Sequence, residues 1–210
     1  MWMILWVVLS VAGCDSKQVS SSKQGGTVPN GPGEPSSNVG SAALHEILDS
    51  GRDVDMRWPD FSPQQEDVKA FYSQPNDALA WLRDGQPTPQ ALAFIAMFEQ
   101  AANKGLTPED YDATRWADRL SQQKTSPNDA NNSRFDAAVT VSLLRYVRAL
   151  GLGRVNPKGL GQPLDVNGQK MDLAVFLRQK LKNAADPSAE MNTIEPPWPG
   201  YWRRWTRCIA

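Results

Sequence analysis

The 210-residue chain carries 22 Lys and Arg against 23 Asp and Glu, a formal net charge of −1, which excludes a nucleic-acid binder held by bulk charge. With 40% hydrophobic and 21% charged residues, it can bury a core but does not have the composition of an integral membrane protein. One His and two Cys speak against a zinc site, a haem or an iron–sulfur cluster, since Cys14, Cys208 and His45 would have to converge from opposite ends of the chain. No metal and no cofactor is therefore expected. Any Cys–His or Ser–His chemistry would have His45 as its one imidazole.

Residues 1–14 read as a lipoprotein-type signal peptide. Trp2 to Val11 is almost wholly apolar, shorter than the roughly 20 residues a spanning helix needs, and of h-region length. No Lys or Arg precedes it. Val11-Ala12-Gly13-Cys14 resembles a bacterial lipobox. Small residues let a peptidase bind the backbone extended, and the Cys14 thiol accepts a diacylglyceryl group. Cys14 is thus the expected lipid-attachment residue, holding the protein to a membrane at the periplasmic face of a bacterial cell envelope. The other reading is a plain secretory signal with an incidental Cys. Residues 15–40 form a tether. Of residues 16–40, 14 of 25 are Ser, Gly or Pro and none is aromatic, so the segment cannot bury enough surface to order itself. Its flexible reach is roughly 25–30 Å.

The body, residues 41–200, is expected to be mainly α, a helical domain of about five to seven helices. Ser41 caps a helix whose Leu44, Ile47 and Leu48 share a face, and Gly51 ends it. Pro63 opens a second helix with the stripe Val68, Phe71 and Tyr72, broken at Pro75. Ala78 to Leu82 is a short apolar run, extended or a buried turn. Thr88-Pro89 starts a third helix, with Leu92, Ile95, Ala96 and Phe98 to Ala102 on its apolar face and Gly105 as C-cap. Thr107-Pro108-Glu109-Asp110 repeats the start signal, and Tyr111, Trp116 and Leu120 follow. Residues 121–133 read as a polar loop. Phe135 to Leu150 has the strongest stripe, through Val139, Leu143, Tyr146 and Val147, and is expected at the centre of the core. Gln169 to Lys182 is read as a last amphipathic helix. No alternating strand pattern of useful length appears.

Several pieces in this order resemble the amino-terminal scaffold region of the large periplasmic L,D-transpeptidases. They are Phe71-Tyr72, Ala80-Trp81, Gln90-Ala91-Leu92, Ala101 to Leu106, Pro108 to Tyr111, Phe135-Asp136, Leu143 to Tyr146, Gly153 to Pro157 and Glu195-Pro196-Pro197. The resemblance covers about residues 60–200. It implies a place in peptidoglycan cross-linking and cell-wall remodelling, with peptidoglycan or a downstream catalytic domain as partner. Read as residues, Tyr111 and Trp116 suit the core, with glycan stacking as their sharper role. Arg154 can pair with a carboxylate such as Asp136 or touch murein. Asn156 before Pro157 suits an extended or turn geometry. Tyr111, Arg154 and Asn156 are the candidate scaffold or murein contacts.

The departure is chemical. L,D-transpeptidases attack with a Cys thiolate activated by a His, within a Ser/Thr-His-Gly-Cys stretch. This sequence contains no His-Gly-Cys, so no catalytic residue is expected in it. Residues 201–210 are an atypical tail in which Tyr201-Trp202-Arg203-Arg204-Trp205 lacks a helical stripe. A frameshift or premature stop after Gly200 would explain it. The alternative is a self-standing envelope lipoprotein that binds murein or a partner enzyme, its Trp/Arg tail touching a membrane interface or partner.

Overall fold

A computed structural model describes residues 42–73, 79–151 and 171–195. The signal peptide, the tether, Ser41, Pro75 and the Trp/Arg tail lie outside them.

The described residues are mainly helical. Helix α1 (Ala42–Ser50) buries Leu44 and Leu48. Its C-terminal carbonyls are capped from elsewhere: Gln65 Nε2 donates to the carbonyls of Leu48 (2.8 Å) and Asp49 (3.0 Å). Such caps satisfy acceptors that the helix itself leaves open. After a 3-10 turn at Ser62–Gln64 comes α2 (Gln65–Tyr72), with Glu66 and Asp67 in its first turn, where the helix dipole favours them. Val68, Phe71 and Tyr72 are its buried face, as their spacing requires.

The apolar run resolves into a buried turn, Leu79 to Leu82, that enters a small hairpin. Strands β1 (Leu82–Arg83) and β2 (Gln86–Pro87) pair antiparallel. Asp84 and Gly85 both have positive φ, 51° and 72°, the conformation a two-residue type I′ turn demands.

Helix α3 (Pro89–Glu99) opens as expected: Thr88 Oγ1 accepts from Ala91 N at 3.2 Å and Pro89 takes the first position. Its core face differs from the expected one. Ala91, Phe94, Ile95 and Phe98 are buried, while Leu92 points outward and is 46% exposed. A 3-10 turn, Ala101–Lys104, follows, and Gly105 closes it at φ +66°, where a Cβ would be strained. The next segment does not run as one helix. Pro108–Tyr111 is a 3-10 turn, Asp112 takes φ +58°, Ala113–Arg115 is a second such turn, and only then does α4 (Trp116–Thr125) begin. The break is held because the Asp112 side chain is tied down elsewhere, as described below.

Helix α5 (Asp129–Gly151) is 23 residues long and packs against α1, α2, α3 and α4. Residues 121–133 are therefore not a loop. Helix α4 runs to Thr125, and α5 starts once Asn128 Oδ1 has accepted from Asn131 N at 2.9 Å. The polar residues that suggest a loop face one another: Gln123 Nε2 donates to Asn132 Oδ1, and both residues are buried. The last part also has more structure than expected. Helix α6 (Leu173–Phe176) passes into a π-helical turn at Leu177–Leu181, and α6 also packs against α5. A further helix, α7 (Pro187–Asn192), is capped by Asp186 Oδ1, which accepts from Ser188 N and Ala189 N at 3.0 Å each.

Aromatic rings fill the core in two clusters. Trp81 stacks on Phe71 at 5.8 Å between centroids and meets Phe94 edge-on at 5.6 Å. Phe98 packs with Tyr111, Trp116 and Tyr146 in a second cluster. One buried polar device between helices is Asp136, fully buried on α5. Its Oδ1 accepts from Tyr72 Oη (2.6 Å) and Ala80 N (3.0 Å), and its Oδ2 from Trp81 N (2.7 Å). Thr140, one turn on, accepts from Trp81 Nε1 at 2.8 Å. Arg154, read from the sequence as able to pair with a carboxylate such as Asp136, lies outside the described residues.

Candidate functional site

The most unusual surface of the molecule comes from residues 51–61, which join α1 to α2. The segment closes on itself: Phe61 N donates to Gly51 O and Asp53 N to Pro59 O, each at 2.9 Å, and Arg52 bridges Asp60. Asp53 Oδ1 accepts from Asp55 N at 3.0 Å, the side-chain turn typical of Asp. Met56 and Phe61 point into the core, whereas Val54 (71%) and Trp58 (52%) stand in solvent.

Arginines from other elements hold this loop. Arg115 Nη1 and Arg119 Nη2 donate to the Asp55 carbonyl at 2.6 and 2.8 Å. Arg145 Nη2 donates to the carbonyls of Trp58 and Asp60, each at 3.1 Å. Arg119 is itself buried beside two buried carboxylates. Its Nη2 lies 2.8 Å from Asp112 Oδ2 and its Nη1 3.9 Å from Asp53 Oδ2. The guanidinium carbon sits 5.4 Å from the Trp116 ring centroid. Asp112 Oδ1 accepts from Arg57 N at 2.9 Å, so one carboxylate joins the loop to α4. Burial raises the pKa of Asp53, and the Arg119 charge opposes that rise.

Between this loop and α5 lies a shallow groove of about 440 Å3. Trp58 and Gln64 line it from the loop side and Arg145 and Arg148 from α5, with Asp110 and Tyr111 also in its lining. Two buried polar atoms of these residues have no protein partner: the donor Arg145 Nη1 and the acceptor Gln64 Oε1. Burial lowers the pKa of Arg145, while Asp112, Asp110 and Asp60 act to raise it. The group remains a cation at any physiological pH.

Of the residues singled out from the sequence, Tyr111 is the one this groove includes. It is 2% exposed, edge-on to Tyr146 at 5.1 Å, and its carbonyl accepts from Trp116 Nε1 at 2.8 Å. It is a core residue whose surface borders the groove. Arg154, Asn156, Cys14 and Cys208 lie outside the described residues. His45 is on the exposed side of α1. Trp58, Gln64, Arg145 and Arg148 went unread as a group. Their one sequence signal was an exposed-type Arg57-Trp58-Pro59 stretch with no stripe to bury it. Among the described residues, no group of three or more His, Cys, Asp and Glu is placed to hold a metal ion, and no helix is long and apolar enough to cross a membrane.

Residues 66–204 match the family model of the Scaffold domain. The chain belongs to the Scaffold domain family, consistent with the scaffold region of L,D-transpeptidases that its sequence resembles. No curated protein and no solved structure matches the chain.

Proposed function

We propose that this chain serves as the scaffold region of a cell-envelope L,D-transpeptidase, acting in peptidoglycan cross-linking and cell-wall remodelling. The observation that carries the reading is the family match over residues 66–204. The domain holds peptidoglycan or a catalytic domain in place and does not itself perform the transfer. Thiolate chemistry of this kind needs a Cys, an imidazole base and oxyanion donors within a few ångströms of one another. The sequence offers no His-Gly-Cys stretch for them.

The purified 41–210 segment is expected to sediment with insoluble murein sacculi and to form no cross-linked product from murein tetrapeptides. Product that disappears in Cys208→Ala would overturn the non-catalytic part. Failure to sediment would overturn direct wall contact.

The proposal includes the site of action. Cys14 carries a lipid anchor, and the Ser/Gly/Pro-rich segment lets the body reach from the membrane to the wall. Metabolic labelling with radioactive palmitate is expected in the full chain and not in Cys14→Ser. Equal labelling of the two would remove the anchor from the proposal.

A further inference from the structure

We propose that the groove between the 51–61 loop and α5 binds a carboxylate-bearing saccharide of the cell wall, with Trp58 as the sugar platform and Arg148 as the carboxylate clamp. The inference rests on the murein-facing reading above and assigns it a place. Three observations carry it.

Trp58 is a large apolar ring, 52% exposed, on a loop that is not free to fold it away. The carbonyl of Trp58 itself is held by Arg145, and its neighbours by Arg115, Arg119 and Asp112. A rigid exposed indole offers a flat apolar surface to the apolar face of a sugar ring at little entropic cost.

The charged groups suit a single carboxylate. Two guanidinium groups and one carboxylate line the groove. Arg145 Nη2 is engaged by the loop carbonyls, which leaves the fork of exposed Arg148 to meet a carboxylate in two parallel hydrogen bonds. A polyphosphate would call for more cations than the groove has, while Asp110 suits the hydroxyl donors of a sugar.

The size is right for one or two sugar rings, since a groove of about 440 Å3 falls in the roughly 300–1,000 Å3 range of small-ligand sites. Trp58 and Gln64 precede the segment matched by the family model, and Asp110, Arg145 and Arg148 lie inside it. The site is thus built jointly by the matched segment and the loop that precedes it.

The experiment uses the whole chain, sacculus sedimentation and titration with a soluble disaccharide–tetrapeptide released from murein. Wild type is expected to bind both. Trp58→Ala and Arg148→Ala are each expected to weaken binding about tenfold or more, since such anchors dominate a small interface. Trp58→Phe should recover most of the loss. Both side chains are exposed, so the melting temperature should stay unchanged. Val54→Ala, on the same loop but outside the groove, should bind as wild type. A fragment whose carboxyl groups are capped as amides should bind more weakly, and equal binding would overturn the clamp. If wild type binds sacculi and Trp58→Ala and Arg148→Ala bind equally well, the groove is overturned and the murein reading stands. If wild type binds neither probe, both fall together.

Discussion

Arg119→Met is expected to destabilise the domain by about 3–5 kcal/mol, the range found when one partner of a buried ion pair is removed. In a domain of this size that lowers the melting temperature by roughly 6–20 °C. Methionine keeps the stem that packs on Trp116 and removes only the fork. What remains is the problem: Asp112 at 0% exposure and Asp53 at 1%, two carboxylates with no cation between them. Asp53 already has its pKa raised by burial against the pull of Arg119, so its carboxyl moves further toward the neutral acid. The Asp55 carbonyl also loses one of its two guanidinium donors. The control is Arg134→Met. Arg134 pairs with Asp55 at 2.9 Å, but the two side chains are 43% and 47% exposed, and exposed pairs contribute about 1 kcal/mol or less. Thermal unfolding of both variants decides the matter. Equal, small losses would mean that the buried cluster is no more than a surface pair in effect. Arg119→Lys should fall between the two, because an ammonium keeps the charge but cannot reach two carboxylates and a carbonyl in one plane.

This cluster also shows where reading from residue spacing stops. Periodicity reports what neighbours along a helix do, and on that scale the sequence was informative. The Thr88-Pro89 cap, the end of α1 at Gly51, the Val68, Phe71 and Tyr72 face and the stripe of α5 all appear in the structure where the spacing places them. Leu92 was assigned to the core because it is apolar, but a helix buries by angle, and Ala91 and Phe94 occupy that angle. The start of α5 was hidden for the opposite reason. Asn132 and Ser133 look solvated, yet they are buried, and Gln123 supplies the partner that burial of Asn132 requires. The hairpin at Asp84-Gly85 had a readable turn signal, but strands of two residues leave no alternation to detect. The groove was the least legible part. Arg57 and Asp112 meet across 55 residues, Arg119 and Asp55 across 64, and Arg145 and Trp58 across 87. No local pattern encodes such pairs, and each arginine alone reads as a solvated charge.

The second large effect belongs to Asp136. Asp136→Ala is expected to cost roughly 3–6 kcal/mol, since it removes the acceptor of three buried donors, each worth about 1–3 kcal/mol when left unmet in the interior, and Thr140 can still serve one of them. The donors are Tyr72 Oη, Ala80 N and Trp81 N. They come from α2 and the buried turn, which Thr140 also ties to the centre of α5, contacting Tyr72 Oη at 2.7 Å and accepting from Trp81 Nε1 at 2.8 Å. Loss of the carboxylate should therefore loosen the turn at Leu79 to Leu82 first, and amide exchange at Ala80 and Trp81 should speed up more than exchange along α5. A pH series separates the charge of this group from its shape. Burial raises the Asp136 pKa to about 6, against the lowering effects of Tyr72, the two backbone amides and Lys182. An unfolded Asp titrates near about 3.9. The folded state therefore holds the proton more tightly, so the stabilisation is full below about pH 4 and disappears as pH rises through about 6. Asp136→Asn cannot titrate and lacks that slope. The stability gap between wild type and Asp136→Asn should shrink steadily from about pH 4 to about pH 7. A gap that stays constant or widens over that range would mean that the donors around Asp136 outweigh its burial, and that the carboxylate enters the fold already ionised.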